Sequence, residues 1–251
     1  MYIKIEDMTI YYEKYGNKEQ TVFILPGWGN NRITFNYLIS ELKNYFTIYI
    51  LDYPGFGNST FPSRDLTIYD YANLIKKLIN KLNINNPILI GHSFGGRIIS
   101  LLKIKYKKLL LIDVAGLNHF NLKLFLKQKL YKLLKKISFI LPKKLKRKYL
   151  HFIFNKFSSN DYKRLNKNLL KTFQNIIKED LSKYYQNIKE ETLLLWGEFD
   201  DITPLKDGIK LNKLIKNSTL ITISNTKHFP YLEKKYLVSR IVLEYLKKDI
   251  I

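Results

Sequence analysis

The sequence contains no cysteine and no long apolar run, and each absence narrows what the protein can do. Without cysteine there can be no disulfide, no thiolate nucleophile and no cysteine-based zinc site. No apolar run approaches the ~18 residues that a membrane-spanning helix needs. The residues from Met1 to Asp7 also lack the apolar stretch of a secretory signal. We therefore expect a cytoplasmic protein without a transmembrane segment.

Acidic residues are in the minority, with 21 Asp and Glu against 43 Lys and Arg, for a formal net charge of +22 over 251 residues. Residues 117–189 carry most of this excess, because they hold 19 Lys and Arg but only 3 Asp and Glu. Coding bias toward Lys, Asn, Ile and Tyr is one explanation for the charge, and a functional basic surface is another. Nucleic-acid binding would need basic and aromatic side chains arranged along a groove. We find no such motif and expect no nucleic-acid partner.

Short apolar runs alternate with amphipathic segments of helical length, which is typical of an α/β fold with a parallel sheet covered by helices. The predicted strands are Tyr2–Ile5, Thr9–Tyr15, Thr21–Leu25, Thr47–Leu51, Pro87–Ile90, Lys108–Ile112, Thr192–Trp196 and Ser218–Ile223. The predicted helices between them are Ile33–Asn44, Thr67–Leu82, Phe94–Lys105, Leu205–Ile215 and Tyr231–Lys248.

This alternation breaks between Ala115 and Ile188, where basic amphipathic segments follow one another without a strand. Pro142 ends or kinks the first of these helical runs. We therefore predict a core formed by residues 1–116 and 189–251, with 117–188 inserted as a basic helical cap, or lid. A cap over the carboxyl edge of a parallel sheet would cover the place where such sheets bind ligands.

The most informative motif is Gly91-His92-Ser93-Phe94-Gly95, which follows an apolar strand and opens a helix. A Gly-x-Ser-x-Gly turn of this kind lifts the serine hydroxyl above the edge of the sheet in a strained backbone. The two glycines keep side chains out of the crowded turn. The context predicts that Ser93 is a nucleophile, whereas the motif alone would also fit a plain glycine-rich turn.

Three further motifs accompany this one in a fixed order, and together the four resemble the α/β-hydrolase family over nearly the whole chain outside the insert. They are Leu25-Pro26-Gly27-Trp28-Gly29, the turn from Asp52 to Ser59, and Trp196-Gly197-Glu198-Phe199-Asp200 with His228-Phe229-Pro230 downstream. The resemblance implies a mostly parallel eight-stranded sheet flanked by helices, with an inserted helical cap. It also implies serine catalysis that requires no metal and no cofactor.

A serine hydroxyl needs a base to take its proton, and in this family the acid and the base follow the serine in that order. Among the four histidines, His92 lies inside the turn and His119 and His151 lie in the insert. His228 is therefore the predicted base. The family usually has a glycine immediately before this histidine, whereas this sequence has Lys227. An ammonium at that position could disfavour the imidazolium.

The predicted acid is Asp200, because the family pattern Gly-x-x-Asp-x-x-x-Pro places it between Gly197 and Pro204. Asp201 is the second candidate for the same role. Asp113 is the third, since it ends the sixth core strand, a position that some family members use. Otherwise Asp113 would be a carboxylate that caps a loop.

The resemblance also implies two oxyanion donors, the backbone N–H groups of Phe94 and Trp28. The ring of Trp28 could wall the acyl pocket or simply pack in the core. Arg97 lies four residues after the serine and could bind a substrate carboxylate or pair with a core carboxylate. The turn that begins at Asp52 is predicted to be structural rather than reactive.

The sequence thus predicts a serine hydrolase that acts on a small acyl substrate, an ester or a thioester. The resemblance leaves three alternatives open. They are a C–C bond hydrolase or menaquinone-pathway type of lyase, an esterase for acyl groups on an acidic carrier protein, and a non-catalytic binding homologue. The basic cap would suit an acidic carrier, since positive charge steers acidic partners, and it would also suit another anionic surface.

Overall fold

The computed structural model describes residues 1–29, 32–117 and 167–248, together with 134, 142 and 145–149. The chain divides into two compact units, Met1–Leu117 with Asn175–Ile251 and Asn118–Gln174. Residues 175–188, which were assigned to the insert above, therefore group with the larger unit. Residues 145–149 are helical, while most of the predicted insert, with His119 and His151, lies outside the described residues. Its function as a lid stays a prediction.

An eight-stranded sheet forms the centre of the larger unit, in the order β1-β2-β4-β3-β5-β6-β7-β8. Its strands are β1 (Tyr2–Ile5), β2 (Met8–Tyr15), β3 (Thr21–Leu25), β4 (Thr47–Leu51), β5 (Ile88–His92), β6 (Leu109–Ile112), β7 (Thr192–Gly197) and β8 (Ser218–Ile223). Strands β3 to β8 run parallel, whereas β2 is antiparallel to both β1 and β4. The mostly parallel eight-stranded sheet predicted from the sequence is confirmed.

Helices connect these strands and cover the sheet. They are α1 (Asn36–Leu42), α2 (Ile68–Lys81), α3 (Phe94–Leu101), α4 (Leu170–Lys178), α5 (Ser182–Gln186), α6 (Leu205–Leu214), α7 (Pro230–Glu233) and α8 (Lys235–Lys247), with short 3-10 turns at Arg32–Phe35 and Lys167–Leu169. Helix α2 begins at a capping box, in which the Thr67 hydroxyl accepts from the Asp70 N–H and the Asp70 carboxylate accepts from the Thr67 N–H. Its buried side includes Leu74 and Leu78.

The predicted helix Ile33–Asn44 is divided into the 3-10 turn Arg32–Phe35 and α1, which ends at Leu42. Two further predicted helices are shorter or more divided than the periodicity indicated. The helix from Phe94 ends at Leu101, because Leu102 turns extended and is buried against the core. The predicted helix Tyr231–Lys248 is split into α7 and α8 at Lys234, whose φ of −127° and ψ of 52° interrupt the helical path. Amphipathic periodicity continues through both breaks, so it cannot locate them.

The parallel strands β3 to β7 are buried on both faces, as their apolar runs predicted, whereas the edge strand β8 is largely exposed or half-buried. Alternate residues of β5 pack into two hydrophobic clusters, with Leu89 in one and Ile88 and Ile90 in the other. Strand β6 divides in the same way. Because β5, β6, β7 and β8 are parallel, they all end at the same edge of the sheet, its carboxyl edge. Among the described residues, no helix has the length and apolar character to cross a bilayer.

Candidate active site

Ser93 occupies a strained turn between β5 and α3. Its φ of 49° and ψ of −107° lie outside the helical and strand regions. Gly95 permits this turn, since a Cβ there would lie 1.9 Å from the carbonyl oxygen of Leu25. The turn is held by the Ser93 N–H, which donates to Ile112 at 3.1 Å, and by the Ser93 carbonyl, which accepts from Ala115 at 3.1 Å. Ser93 itself stays partly exposed, as a nucleophile must.

His228 and Asp200 are joined by a hydrogen bond of 2.8 Å between Nδ1 and Oδ2, and both residues are buried. The N–H groups of Ile202 and Thr203 donate to Asp200 Oδ1 at 2.8 and 3.0 Å, and the Thr203 hydroxyl donates to Oδ2 at 2.7 Å. Burial alone would raise the pKa of the Asp200 carboxyl, but the bonds from His228, Thr203 and the Ile202 N–H outweigh it and lower the pKa. The Asp200 carboxylate is therefore ionised at neutral pH and holds the His228 ring by its Nδ1–H.

The turn that carries Asp200 packs closely on the loop that carries His228. A Cβ on Gly197 would lie 1.9 Å from the carbonyl oxygen of Lys227, so only glycine allows this approach. The Lys227 side chain is exposed, and its N–H donates to Glu233 Oε2 at 2.9 Å. Asp201, the second candidate acid, is exposed, whereas Asp200 is 5% exposed. The geometry therefore favours Asp200 as the partner of the base.

Asp113, the third candidate acid, is a fully buried neighbour of this pair. Its Oδ1 accepts from the Gly197 N–H at 2.8 Å, and its carbonyl oxygen lies 3.0 Å from the Thr203 hydroxyl. The pKa of Asp113 is raised to about 9, mainly by burial, with the nearby Asp200 carboxylate acting in the same direction and the bond from the Gly197 N–H opposing it. At neutral pH, Asp113 is therefore an uncharged carboxylic acid. It supports the turn that carries Asp200 through its bond to the Gly197 N–H.

We predict that Asp113→Asn stabilises the protein at pH 8. The Asp113 carboxyl keeps its proton in the folded state up to about pH 9, whereas in the unfolded chain it ionises near pH 4. The stability that the protonated Asp113 carboxyl contributes is therefore fully present below pH 4. It is lost as the pH rises toward 9, because the unfolded chain releases the proton and the folded chain does not. Asparagine retains the acceptor for Gly197 and cannot ionise, so we expect a gain of about 1–3 kcal/mol at pH 8.

Urea unfolding at pH 4.5, 6 and 8 checks this prediction. The difference in unfolding free energy between Asp113→Asn and the wild type should grow with pH. The exposed Asp201→Asn serves as the control and should show no such growth. A wild type that is the more stable protein at pH 8 would contradict the assignment of a neutral Asp113.

The two predicted oxyanion donors are brought together by their side chains. The rings of Trp28 and Phe94 meet edge to face with centroids 5.1 Å apart. Trp28 also packs edge-on against Phe56 at 4.8 Å and Tyr71 at 6.1 Å, and it lines one of the core clusters while remaining partly exposed. Trp28 therefore has a packing function, and a position at the wall of an acyl pocket is compatible with it.

Arg32, the first residue of the 3-10 turn, joins an ion-pair network that the sequence did not predict. Arg32 Nη1 lies 2.8 Å from Asp52 Oδ2, and Arg32 Nε lies 2.7 Å from Glu13 Oε1. Asp52 Oδ2 also accepts from the Asn58 N–H at 3.0 Å. A Cβ on Gly57 would overlap the Asp52 carboxylate. These contacts fit the structural function predicted for the Asp52 turn, since they tie it to the 3-10 turn and to its own backbone.

Arg97 has an environment that neither sequence alternative described. It is buried, and its Nη1 donates to the carbonyl oxygens of Ile176 at 2.9 Å and Glu179 at 3.0 Å. These carbonyls belong to the end of α4 and the residue just beyond it, where the helix dipole favours a cation. Burial lowers the pKa of the guanidinium. The contacts assign Arg97 to holding this helix end, and substrate binding by Arg97 stays a prediction.

Sequence reasoning also missed Thr203, which donates to the acid. The sequence signal was the position of Thr203 three residues after Asp200, because aspartates commonly accept hydrogen bonds from residues shortly after them in a turn. Within 1–29, 32–117 and 167–248, no group of three His, Asp or Glu side chains is arranged to hold a metal ion.

Comparison with known proteins agrees with this architecture. A family model described as alpha/beta hydrolase fold matches residues 20–111 and 121–235. A pimeloyl-[acyl-carrier protein] methyl ester esterase from Wigglesworthia glossinidia brevipalpis is 30% identical, over 93% of this chain and 96% of that protein. The uncharacterized hydrolase YugF of Bacillus subtilis is 26% identical over 97% of this chain and 96% of its own length.

Solved structures show the same fold. The esterase EaEST from Exiguobacterium antarcticum has a TM-score of 0.75 and 22% identity, with 98% of both chains covered. A thermophilic esterase from Thermogutta terrifontis has a TM-score of 0.73 and 19% identity, with 96% of this chain and 94% of that chain covered. On the match to the family model, the sheet topology and the relatives, this chain belongs to the α/β-hydrolase fold family.

Proposed function

We propose that this protein is a serine hydrolase that cleaves a carboxylic ester or thioester through an acyl-enzyme on Ser93. The observation that carries the proposal is the buried His228–Asp200 pair, joined at 2.8 Å at the sheet edge where β5 ends in the Ser93 turn. A histidine whose Nδ1–H is held by an ionised carboxylate keeps Nε2 as a base. The relatives that are esterases support the same chemistry.

In the proposed reaction the Ser93 hydroxyl attacks the substrate carbonyl while His228 Nε2 takes its proton. Asp200 stabilises the imidazolium that forms and does not itself become protonated. The backbone N–H groups of Phe94 and Trp28 bind the oxyanion, each contributing roughly 3 kcal/mol to the transition state. His228 then gives its proton to the leaving alcohol or thiol. Water, activated by the same base, attacks the acyl-enzyme and releases the acid and the free Ser93 hydroxyl.

A panel of p-nitrophenyl esters with acyl chains of two to twelve carbons tests this function. We expect wild-type turnover with saturation kinetics, and the best chain length will measure the depth of the acyl pocket. A thioester of the preferred acyl chain, followed by release of free thiol, compares the two leaving groups. A folded protein that hydrolyses none of these substrates and is not labelled by a fluorophosphonate would favour the non-catalytic alternative.

A second candidate function is the cleavage of an ester on an acyl chain that an acidic carrier protein holds. Two observations favour it. The relative from Wigglesworthia glossinidia brevipalpis is a pimeloyl-[acyl-carrier protein] methyl ester esterase, and residues 117–189 carry a large positive charge. In the described part of that segment, Lys146, Arg147 and Lys148 lie in one short helical stretch. Electrostatic steering would raise the association rate with a negatively charged carrier.

The salt dependence of kcat/KM distinguishes an esterase for carrier-bound acyl chains from an esterase for small esters. The same acyl methyl ester is offered on an acidic carrier protein and on a small thiol such as pantetheine. If the carrier is recognised, kcat/KM should favour the carrier-bound ester at low ionic strength, and the advantage should shrink as salt screens the charges. Equal kcat/KM for both forms at every salt concentration would leave the small ester as the substrate.

A further inference from the structure

His92 is a buried histidine that the proposed reaction does not use. It is the last residue of β5, directly before Ser93, and its side chain is fully buried. Its Nε2 lies 2.8 Å from the carbonyl oxygen of His228. The sequence alone places His92 only inside the turn. The structure instead links the residue next to the nucleophile to the backbone of the base.

The direction of this hydrogen bond follows from the partner. A carbonyl oxygen can only accept, so His92 Nε2 must carry the proton. The pKa of His92 is lowered to about 3, mainly by burial, with the neighbouring His228 acting in the same direction. His92 is therefore neutral at the pH at which such hydrolases operate. Neutrality matters because its ring centroid lies 4.8 Å from that of His228, where a second cation would oppose the imidazolium formed during catalysis.

The ring of His92 is held in one orientation by aromatic neighbours on different elements. Its centroid lies 5.1 Å from that of Phe229, 5.1 Å from that of Tyr231 and 6.4 Å from that of Phe35. Phe35 and Tyr231 also stack on each other at 4.5 Å. A donor that is fixed on several sides can transmit a position, whereas a mobile donor cannot.

We propose that His92 is a positioning residue for His228, the catalytic base. The Nε2–H of His92 donates to the backbone carbonyl of His228 and thereby sets the distance between the loop that carries His228 and the Ser93 turn. The inference rests on the proposed function, because it concerns the geometry of the Ser93 and His228 reaction. Asp200 orients the His228 ring through Nδ1, and His92 locates the backbone that carries the ring. The two contacts are complementary, since a ring can be well oriented and still lie too far from its nucleophile.

Two amide variants of different length test this inference. His92→Gln places an N–H donor at about the reach of Nε2, whereas His92→Asn is one bond shorter. We expect kcat for the preferred p-nitrophenyl ester to fall about 10–100-fold in His92→Asn, because a small misplacement of a catalytic group can cost about 100-fold. His92→Gln should stay within about 5-fold of the wild type, and KM should change little in either variant. The rate of fluorophosphonate labelling at Ser93 should fall in parallel with kcat.

Controls separate positioning from loss of packing. Phe46→Leu removes a buried ring of the same hydrophobic cluster as Phe35, outside the ring contacts of His92 given above, and should leave kcat nearly unchanged. Thermal unfolding reports whether each variant is folded. Equal kcat in the folded Gln and Asn variants would overturn the inference, as would a folded His92→Leu with kcat within twofold of the wild type. Absence of ester hydrolysis and labelling in the wild type would instead refute the proposed function, so the two failures are distinguishable.

Discussion

Replacing Ser93 by alanine is expected to lower kcat for ester hydrolysis by about 10⁶-fold, because no acyl-enzyme can form without the hydroxyl. The change removes one oxygen from a turn whose backbone bonds to Ile112 and Ala115 do not involve the side chain. The fold should therefore persist, and KM should stay near the wild-type value. Residual turnover would come from the oxyanion donors and from substrate binding alone.

The matched control for this variant is Ser100→Ala, on the helix α3 that follows the Ser93 turn. The Ser100 hydroxyl donates to the carbonyl oxygen of Arg97 at 2.9 Å, and the residue lies about two helical turns beyond Ser93. Initial rates with the preferred p-nitrophenyl ester compare the three proteins. Ser93→Ala turnover within tenfold of the wild type would refute nucleophilic catalysis by this residue.

Asp200→Asn is expected to lower kcat by about 10⁴-fold while the protein stays folded. The amide can keep the acceptor for the N–H groups of Ile202 and Thr203, so the turn should survive. It cannot carry the charge that stabilises the His228 imidazolium. It can also present an N–H to Nδ1, which would place the ring proton on Nε2 and leave no base facing the serine.

The other two candidate acids supply the controls for this variant. Asp201→Asn should leave kcat within about twofold, since the residue is exposed and lies beside the site rather than in it. Asp113→Asn should also retain most of the activity at pH 7, because the carboxyl that it replaces is already neutral there. If Asp113→Asn or Asp201→Asn lost as much activity as Asp200→Asn, the assignment of the acid would have to move to that residue.

The sheet was predictable because most of its parallel strands are short apolar runs bounded by polar, glycine or proline positions. Strands β1, β3, β4 and β8 begin and end where the sequence predicted. The helix ends were less predictable, since the breaks at Leu102 and Lys234 depend on backbone angles that the pattern of apolar residues does not encode. Packing in three dimensions decides where such helices stop.

The candidate site divides in a similar way. Ser93, Asp200 and His228 could be chosen because each belongs to a motif with local geometry, and the structure joins the last two directly. Arg97 was harder, because its carbonyl partners lie 79 and 82 residues further along the chain. The contact of His92 with His228 spans 136 residues. Contacts of that range leave no trace in one sequence, so the supporting side chains emerge only from the fold.

Substrate choice depends on the part of the chain where sequence patterns say least. Residues 117–188 show amphipathic periodicity and a strong positive charge, which predict helices with one apolar face. Periodicity does not say which surface that face covers or which acyl chain fits beneath it. The ester panel and the salt dependence with carrier-bound esters therefore address specificity directly.

The central claim is that Ser93 is the residue that becomes covalently modified, and mass spectrometry after fluorophosphonate treatment tests it most directly. The account predicts one adduct per chain, mapped to the peptide that contains Ser93, with loss of ester hydrolysis in proportion to labelling. Ser93→Ala should take up no reagent, and Ser100→Ala should label like the wild type. An adduct mapped to another residue, or full esterase activity in protein whose Ser93 is labelled, would contradict the account.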